Sequence, residues 1–210
     1  PGDNNNHGTH TMGTMVGDDG AGQQIGVAPA AQWIAAKGCA GSGCAQNHLI
    51  AAGQWILAPT NLAGNNPNPA RRPRVVNNSW GSCASNNTWY QWVVQAWRAA
   101  DIFPAFSAGN NCAAVGAPGS YPESFATGAT DSNDTIAGFS ASGPSPLTSL
   151  TKPDVSAPGV NVFSSLANGG YSTMSGTSMA SPHTAGCAAL ILSHKPSMPV
   201  YQVERLLAYT

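Results

Sequence analysis

Charge is what this sequence has least of. Its 210 residues carry eight Lys and Arg and nine Asp and Glu, 8% of the chain, where an average soluble domain has roughly 25%. The net charge of −1 gives no basic footprint, so neither nucleic acid nor an acidic membrane surface is expected as a partner. Long apolar runs are also missing. The longest, "AGCAALILS", falls far short of the roughly 20 residues that a membrane span needs. Internal repeats and a low-complexity tail are absent. "PGDNNN" has neither an initiator Met nor the apolar core of a signal peptide, so any targeting segment is expected upstream of residue 1.

What the chain has instead is Gly and Pro, 24 and 16 residues, together with many Asn and Ser. Such a surface is built of amides, hydroxyls and turns, and the length fits one α/β domain with a sizeable core. Five cysteines are present. Cys39 and Cys44 form the close pair "CAGSGC", and Cys83 and Cys112 sit in "WGSCAS" and "GNNCAA". Loop cysteines in a charge-poor chain point to an oxidising compartment, and so to a secreted, extracellular protein. Free thiols or a metal cluster are the alternative, although no His stands at zinc-finger spacing from them. Cys187, inside the apolar run, reads as an unpaired core residue.

Strand-like and helix-like patterns alternate along the chain. "AQWIAAKG" reads as a strand and "QNHLIAAGQWILA" as a helix; "PRVVNNSWG" follows as a strand. "NTWYQWVVQAWRAAD" is an amphipathic helix with Asn86 or Asn87 near its start, and "IFPAFSAGN" is another strand. This order implies a three-layer α/β fold: a mostly parallel, doubly wound sheet with helices on both faces and right-handed crossovers. A Gly-, Pro- and Ser-rich region follows, with short β-like runs in "FATGATDS" and "PDVSAPGVNVF". "GTSMASPHTAGCAALILSHK" then reads as a helix that is apolar nearly all round, and therefore central and buried.

In parallel α/β sheets, functional groups gather where strands end and helices begin. His7 precedes a helix-like stretch, Ser79 and Trp80 end one strand, Gly109 and Asn110 end another, and Ser178 falls in the first turn of the central helix. There the outward N–H groups and the helix dipole suit a developing oxyanion. A serine is a weak nucleophile until a base takes its proton, and His7 is the candidate base. Taken singly, Ser178 reads as an N-cap serine and His7 as a solvent-facing loop histidine. "HGTH", "SWG", "SAGN" and "GTSMASPH", in that order and each at a junction, form a constellation that points to catalysis.

These stretches, with "IGVAP", "YPESFATGATDS", "FSASGPSP" and "KPDVSAPGVNV", cover nearly the whole chain. They resemble the subtilisin-like serine peptidases (subtilases), within these the bacillopeptidase F-like branch. The resemblance implies that residues 1–210 form a serine endopeptidase catalytic domain with His7 as general base and Ser178 as the nucleophile that becomes acylated. It implies that Asn110 is the side-chain donor of the oxyanion hole, partnered by the Ser178 N–H, and that His10 and His183 are structural. Ser79, Trp80 and Gly81 match the edge along which a protein or peptide substrate adds as a strand. Ser107, Ala108 and Gly109 match the opposite wall of the pocket. Trp80 is bulkier than the family's common aliphatic residue. Since Cys83 and Cys112 lie just beyond the two walls, a Cys83–Cys112 disulfide is expected.

No cofactor is implied for the chemistry. Relatives often carry structural calcium in loops, for which Asp154 or the acidic "GDDG" offers oxygen ligands, but no metal residue is assigned. In the subtilisin order the triad Asp precedes His by roughly thirty residues, and here Asp3 is the only carboxylate before His7. The expectation is a domain incomplete at both ends, without its Asp-bearing strand and its final segment, the Asp being supplied by a separate N-terminal segment. A peptide-binding pseudoenzyme is the alternative. A sedolisin-type acid peptidase shares the "SGTS" signature but not "HGTH", and an α/β-hydrolase needs its His after the Ser.

Overall fold

The computed structural model describes residues 2–41, 43–83 and 86–209. Its centre is a four-stranded sheet of β1 (Val75–Asn78), β2 (Phe103–Ser107), β3 (Phe125–Thr130) and β6 (Val155–Pro158), in that spatial order and parallel throughout. β2 and β3 are buried at every residue, which is why they lack the polar alternation of a strand with one wet face. Side chains of β2 serve both faces. Phe103 and Ala105 pack with α4 (Thr177–His194) and α5 (Val200–Ala208) through Ala185, Ala188, Leu192, Val200 and Val203. Phe106 points the other way, to a cluster with Leu49 and Ile56 of α2 (Gln46–Leu57) and Val93, Val94 and Trp97 of α3 (Gln91–Ala99). The result is the expected three-layer arrangement.

Polar tips in this second layer find partners, as burial requires. Trp97 Nε1 donates to Gly53 O at 2.9 Å and Tyr90 Oη to Leu49 O at 3.2 Å. A Cβ at Gly53 would lie 2.5 Å from Tyr90 Oη and from Val93 Cγ1, so α2 and α3 approach this closely only through glycine. Two small antiparallel pairs complete the sheet structure: β4 (Gly143–Pro144) with β5 (Thr151–Lys152), and the hairpin of β7 (Val162–Ser165) with β8 (Tyr171–Met174).

Two sequence expectations need correction. "AQWIAAKG" is not a strand: it makes no ladder among the described residues and leaves Trp33 56% and Ile34 43% exposed. A strand exists only through a neighbour, and β1 pairs with β2 alone among the described residues, so the segment has none. α3 begins at Gln91, a turn later than Asn86 or Asn87, because Asn87 Oδ1 caps a local turn by accepting Trp89 N at 3.0 Å.

Both loop cysteine pairs are disulfides, Cys39–Cys44 and the expected Cys83–Cys112. Cys187 is free and half-buried on α4, its thiol pushed up by burial. Among the described residues no helix is long and apolar enough to cross a membrane.

Candidate active site

The sequence "SGTSM" turns sharply from β8 into α4. Gly176 takes φ +157°, and a Cβ there would stand 3.3 Å from Asn110 Nδ2. Glycine is therefore needed both for the turn and for the approach of that amide. Thr177 starts the helix, fully buried, and Ser178 follows it, half-buried. Asn110, just beyond β2, accepts from Thr177 N at 2.9 Å and from Thr177 Oγ1 at 3.0 Å through its Oδ1. Thr177 Oγ1 in turn accepts from Gly109 N at 3.1 Å. With its oxygen held by two donors, the Asn110 amide presents its NH₂ beside Gly176, at the positive end of α4. Ser178 and Asn110 are thus brought together as expected. Thr177, which orients Asn110, was not singled out in the sequence, although a buried threonine at a helix start must bond to something.

His7 is the first residue of α1 (His7–Val16). The turn before it is tied down by short polar side chains, with His7 N donating to Asn5 Oδ1 at 3.1 Å and Ala167 N to Asn6 Oδ1 at 3.0 Å. Asp3 is spent on the same task. Its Oδ2 accepts from Thr9 N and Thr9 Oγ1, both at 2.8 Å, so it caps α1. Burial alone would raise its pKa, but the hydrogen bonds from Thr9 and Asn5 outweigh that and hold it below the usual range. Among the described residues the His7 ring makes no hydrogen bond, to a carboxylate or to Ser178. Burial lowers the His7 pKa, against the pull of the nearby Asp3 charge, and so keeps the imidazole neutral.

α1 is fastened to the β7–β8 hairpin that feeds α4. The buried His10 donates Nε2–H to Val162 O at 3.0 Å and Ser172 O at 3.2 Å, while Ser164 Oγ donates to His10 O at 2.8 Å. Farther along α1, Met15 packs on the cluster that holds Ala185 and Ala188 of α4. His183 Nδ1 lies 2.8 Å from Met179 O within α4.

Of the two stretches expected to wall the pocket, the first meets Ser178 through Ser79: Ser79 Oγ donates to Ser178 O at 2.8 Å, and Ser178 Oγ donates to Ser79 O at 3.3 Å. Trp80 is turned into the core. Its ring meets Tyr90 edge-on at 4.9 Å and Phe106 at 5.9 Å, and its Nε1 donates to Asn78 Oδ1 at 3.2 Å. Gly81 is exposed. On the other side Ser107 and Ala108 are buried, and Gly109 at φ +107° turns the chain out of β2. Ser82 N donates to Ala117 O at 2.8 Å, and a Cβ on Gly116 would come 1.3 Å from Ser82 O. The Cys83–Cys112 disulfide closes this contact, with the Cys112 sulfur 3.2 Å from Asn110 O.

The acids that offered calcium ligands hold protein donors among the described residues. Asp154 Oδ2 is held by Lys152 Nζ and Ala126 N, both at 2.7 Å. Asp18 accepts from Gly20 N, and Asp19 from Ala21 N and Gln23 N. Among the described residues no three His, Cys, Asp or Glu stand together as ligands.

A hydroxyl and an amide donor at the N-terminus of a central helix, over a parallel sheet, define an α/β protein equipped for nucleophilic chemistry. The chain belongs to the Subtilase family (Peptidase S8), which it matches over residues 1–210. It is 50% identical over 213 residues to Bacillopeptidase F of Bacillus subtilis, covering 97% of this chain and 15% of that protein. To Subtilisin Savinase of Lederbergia lenta it is 35% identical, covering 99% of this chain and 71% of that one. Among solved structures, Sphericase superposes with a TM-score of 0.82 at 30% identity, over 99% of this chain and 69% of that one. A cold adapted subtilisin-like serine proteinase gives 0.77 at 32% identity, over 99% and 68%.

Proposed function

We propose that residues 1–210 are the catalytic part of a secreted serine endopeptidase acting on protein or peptide substrates without a cofactor. The observation that carries this is the Asn110 amide oriented beside the N-terminus of α4, where Ser178 stands. A substrate strand lies along Ser79–Gly81, and the side chain before the scissile bond enters between that edge and Ser107–Gly109. Ser178 Oγ attacks the carbonyl carbon as His7 takes the hydroxyl proton. Asn110 Nδ2–H and the Ser178 N–H hold the oxyanion. His7 passes the proton to the leaving amine as the C–N bond breaks, leaving an acyl-enzyme. Water, deprotonated by His7, attacks the ester; its proton returns to Ser178 Oγ, and the acid is released. The family match and the names of the relatives support this reading, and two disulfides fit an oxidising exterior.

Asp3 is committed to α1, so it does not serve as the carboxylate that orients His7. A fluorophosphonate probe applied to the full-length protein, followed by digestion, tests this reading. Label on Ser178 that disappears in Ser178→Ala is expected; a folded protein that stays unlabelled at Ser178 would overturn it.

A further inference from the structure

Pro182 lies inside α4 and is buried. A proline has no N–H, and in an α-helix the N–H of residue 182 would bond to the carbonyl of residue 178. The carbonyl deprived of its usual donor is therefore that of Ser178, the proposed nucleophile. A donor reaches it from another element. Ser79 Oγ, one residue beyond β1, donates to Ser178 O at 2.8 Å.

That hydroxyl is not free to turn. Asn77 Nδ2 donates to Ser79 Oγ at 3.0 Å, so the single Ser79 proton is directed to Ser178 O. Asn77 Oδ1 in turn accepts from the buried Ser181 Oγ at 2.7 Å. The chain of bonds leaves α4 at Ser181, crosses to β1, and returns to α4 at Ser178, bridging the turn that the proline leaves short of one bond. Every donor in it has one acceptor, and the run is polarised in one direction.

We infer that Ser79, oriented by Asn77 and Ser181, is a positioning residue for the nucleophile: its hydroxyl replaces the helix hydrogen bond that Pro182 removes and fixes Ser178 against the end of β1. The inference rests on Ser178 being the nucleophile, and it gives Ser79 a task apart from the substrate edge. A first turn held in this way keeps Oγ where attack is productive, and misplacement by about 1 Å costs on the order of 10²-fold in rate. The effect falls on turnover and not on binding, because the Ser79 hydroxyl faces the helix.

The test uses the full-length protein, steady-state hydrolysis of a peptide substrate, and the rate of fluorophosphonate labelling. Ser79→Ala is expected to lower kcat roughly tenfold, the worth of about one hydrogen bond, with KM within about twofold; Ser79→Thr, which keeps the hydroxyl, is expected to restore it. Asn77→Ala and Ser181→Ala should lower kcat in the same direction. Pro182→Ala restores an N–H to the Ser178 carbonyl, so in that background Ser79→Ala is expected to cost about twofold or less. Equal losses with and without Pro182, or a rise in KM alone, would overturn the inference. Labelling that survives Ser178→Ala would instead remove the nucleophile assignment beneath it.

Discussion

One amide stands beside the start of α4. Asn110 has its oxygen engaged by Thr177 and its nitrogen left toward Gly176, so replacing it by an apolar side chain removes both the donor and the acceptor that Thr177 uses. Asn110→Leu is expected to lower kcat roughly 10²- to 10³-fold, the range known for such a donor in subtilisin itself, and to lower the melting temperature, because the buried Thr177 N–H and hydroxyl lose their partner. Loss of kcat below twofold would remove Asn110 from the oxyanion site. The motif "SAGN" made this residue legible through the family resemblance, which implies the donor role. The Thr177 partnership was not legible, because it joins residues 67 positions apart and no spacing rule connects them. Asp3 shows the opposite case. The sequence left it outside the triad without a task, and the local hydrogen-bond demand of the α1 N-terminus supplies one.

Between elements, the loops after β1 and β2 are held by Ser82 N to Ala117 O, by the packing of Gly116 on Ser82, and by Cys83–Cys112. That disulfide spans 29 residues and Cys39–Cys44 only 5. The longer loop restricts the unfolded chain more, so removing Cys83–Cys112 by paired Ala substitution is expected to cost about 3 kcal/mol, and removing Cys39–Cys44 less. Calorimetric melting of the two variants checks the order, and a reversed ranking contradicts it. Gly116→Ala should prevent a native fold, since the new Cβ coincides with the Ser82 carbonyl; native-like near-ultraviolet dichroism in that variant would refute this. Helices α2 and α4 and strands β1 and β2 were readable because each carries a period or a buried run of its own. "AQWIAAKG" has the pattern of a strand but no described neighbour to pair with, and pairing is not a property of the segment.

For the molecule as a whole, three histidines bear on acid stability. His7, His10 and His183 all have lowered pKa values, chiefly through burial. The folded state therefore holds them neutral while the unfolded chain protonates them at the ordinary value near 6.5. Their stabilising effect is present above that pH and is lost as pH falls through the lower folded values. The melting temperature is expected to drop between pH 7 and pH 5, and a flat profile in that window would count against the prediction. The sequence alone determined the layer architecture, the central helix and the identity of the motif residues. Each of these depends on local pattern: burial period, turn residues, and a hydroxyl or imidazole at a junction. Only the tertiary structure decided which carboxylate is spent on a helix cap, that Trp80 turns inward, and that Ser79 takes up the carbonyl freed by Pro182. Those outcomes depend on which donors and acceptors meet across elements far apart in the chain, and that is settled by packing and by the need to satisfy every buried polar group.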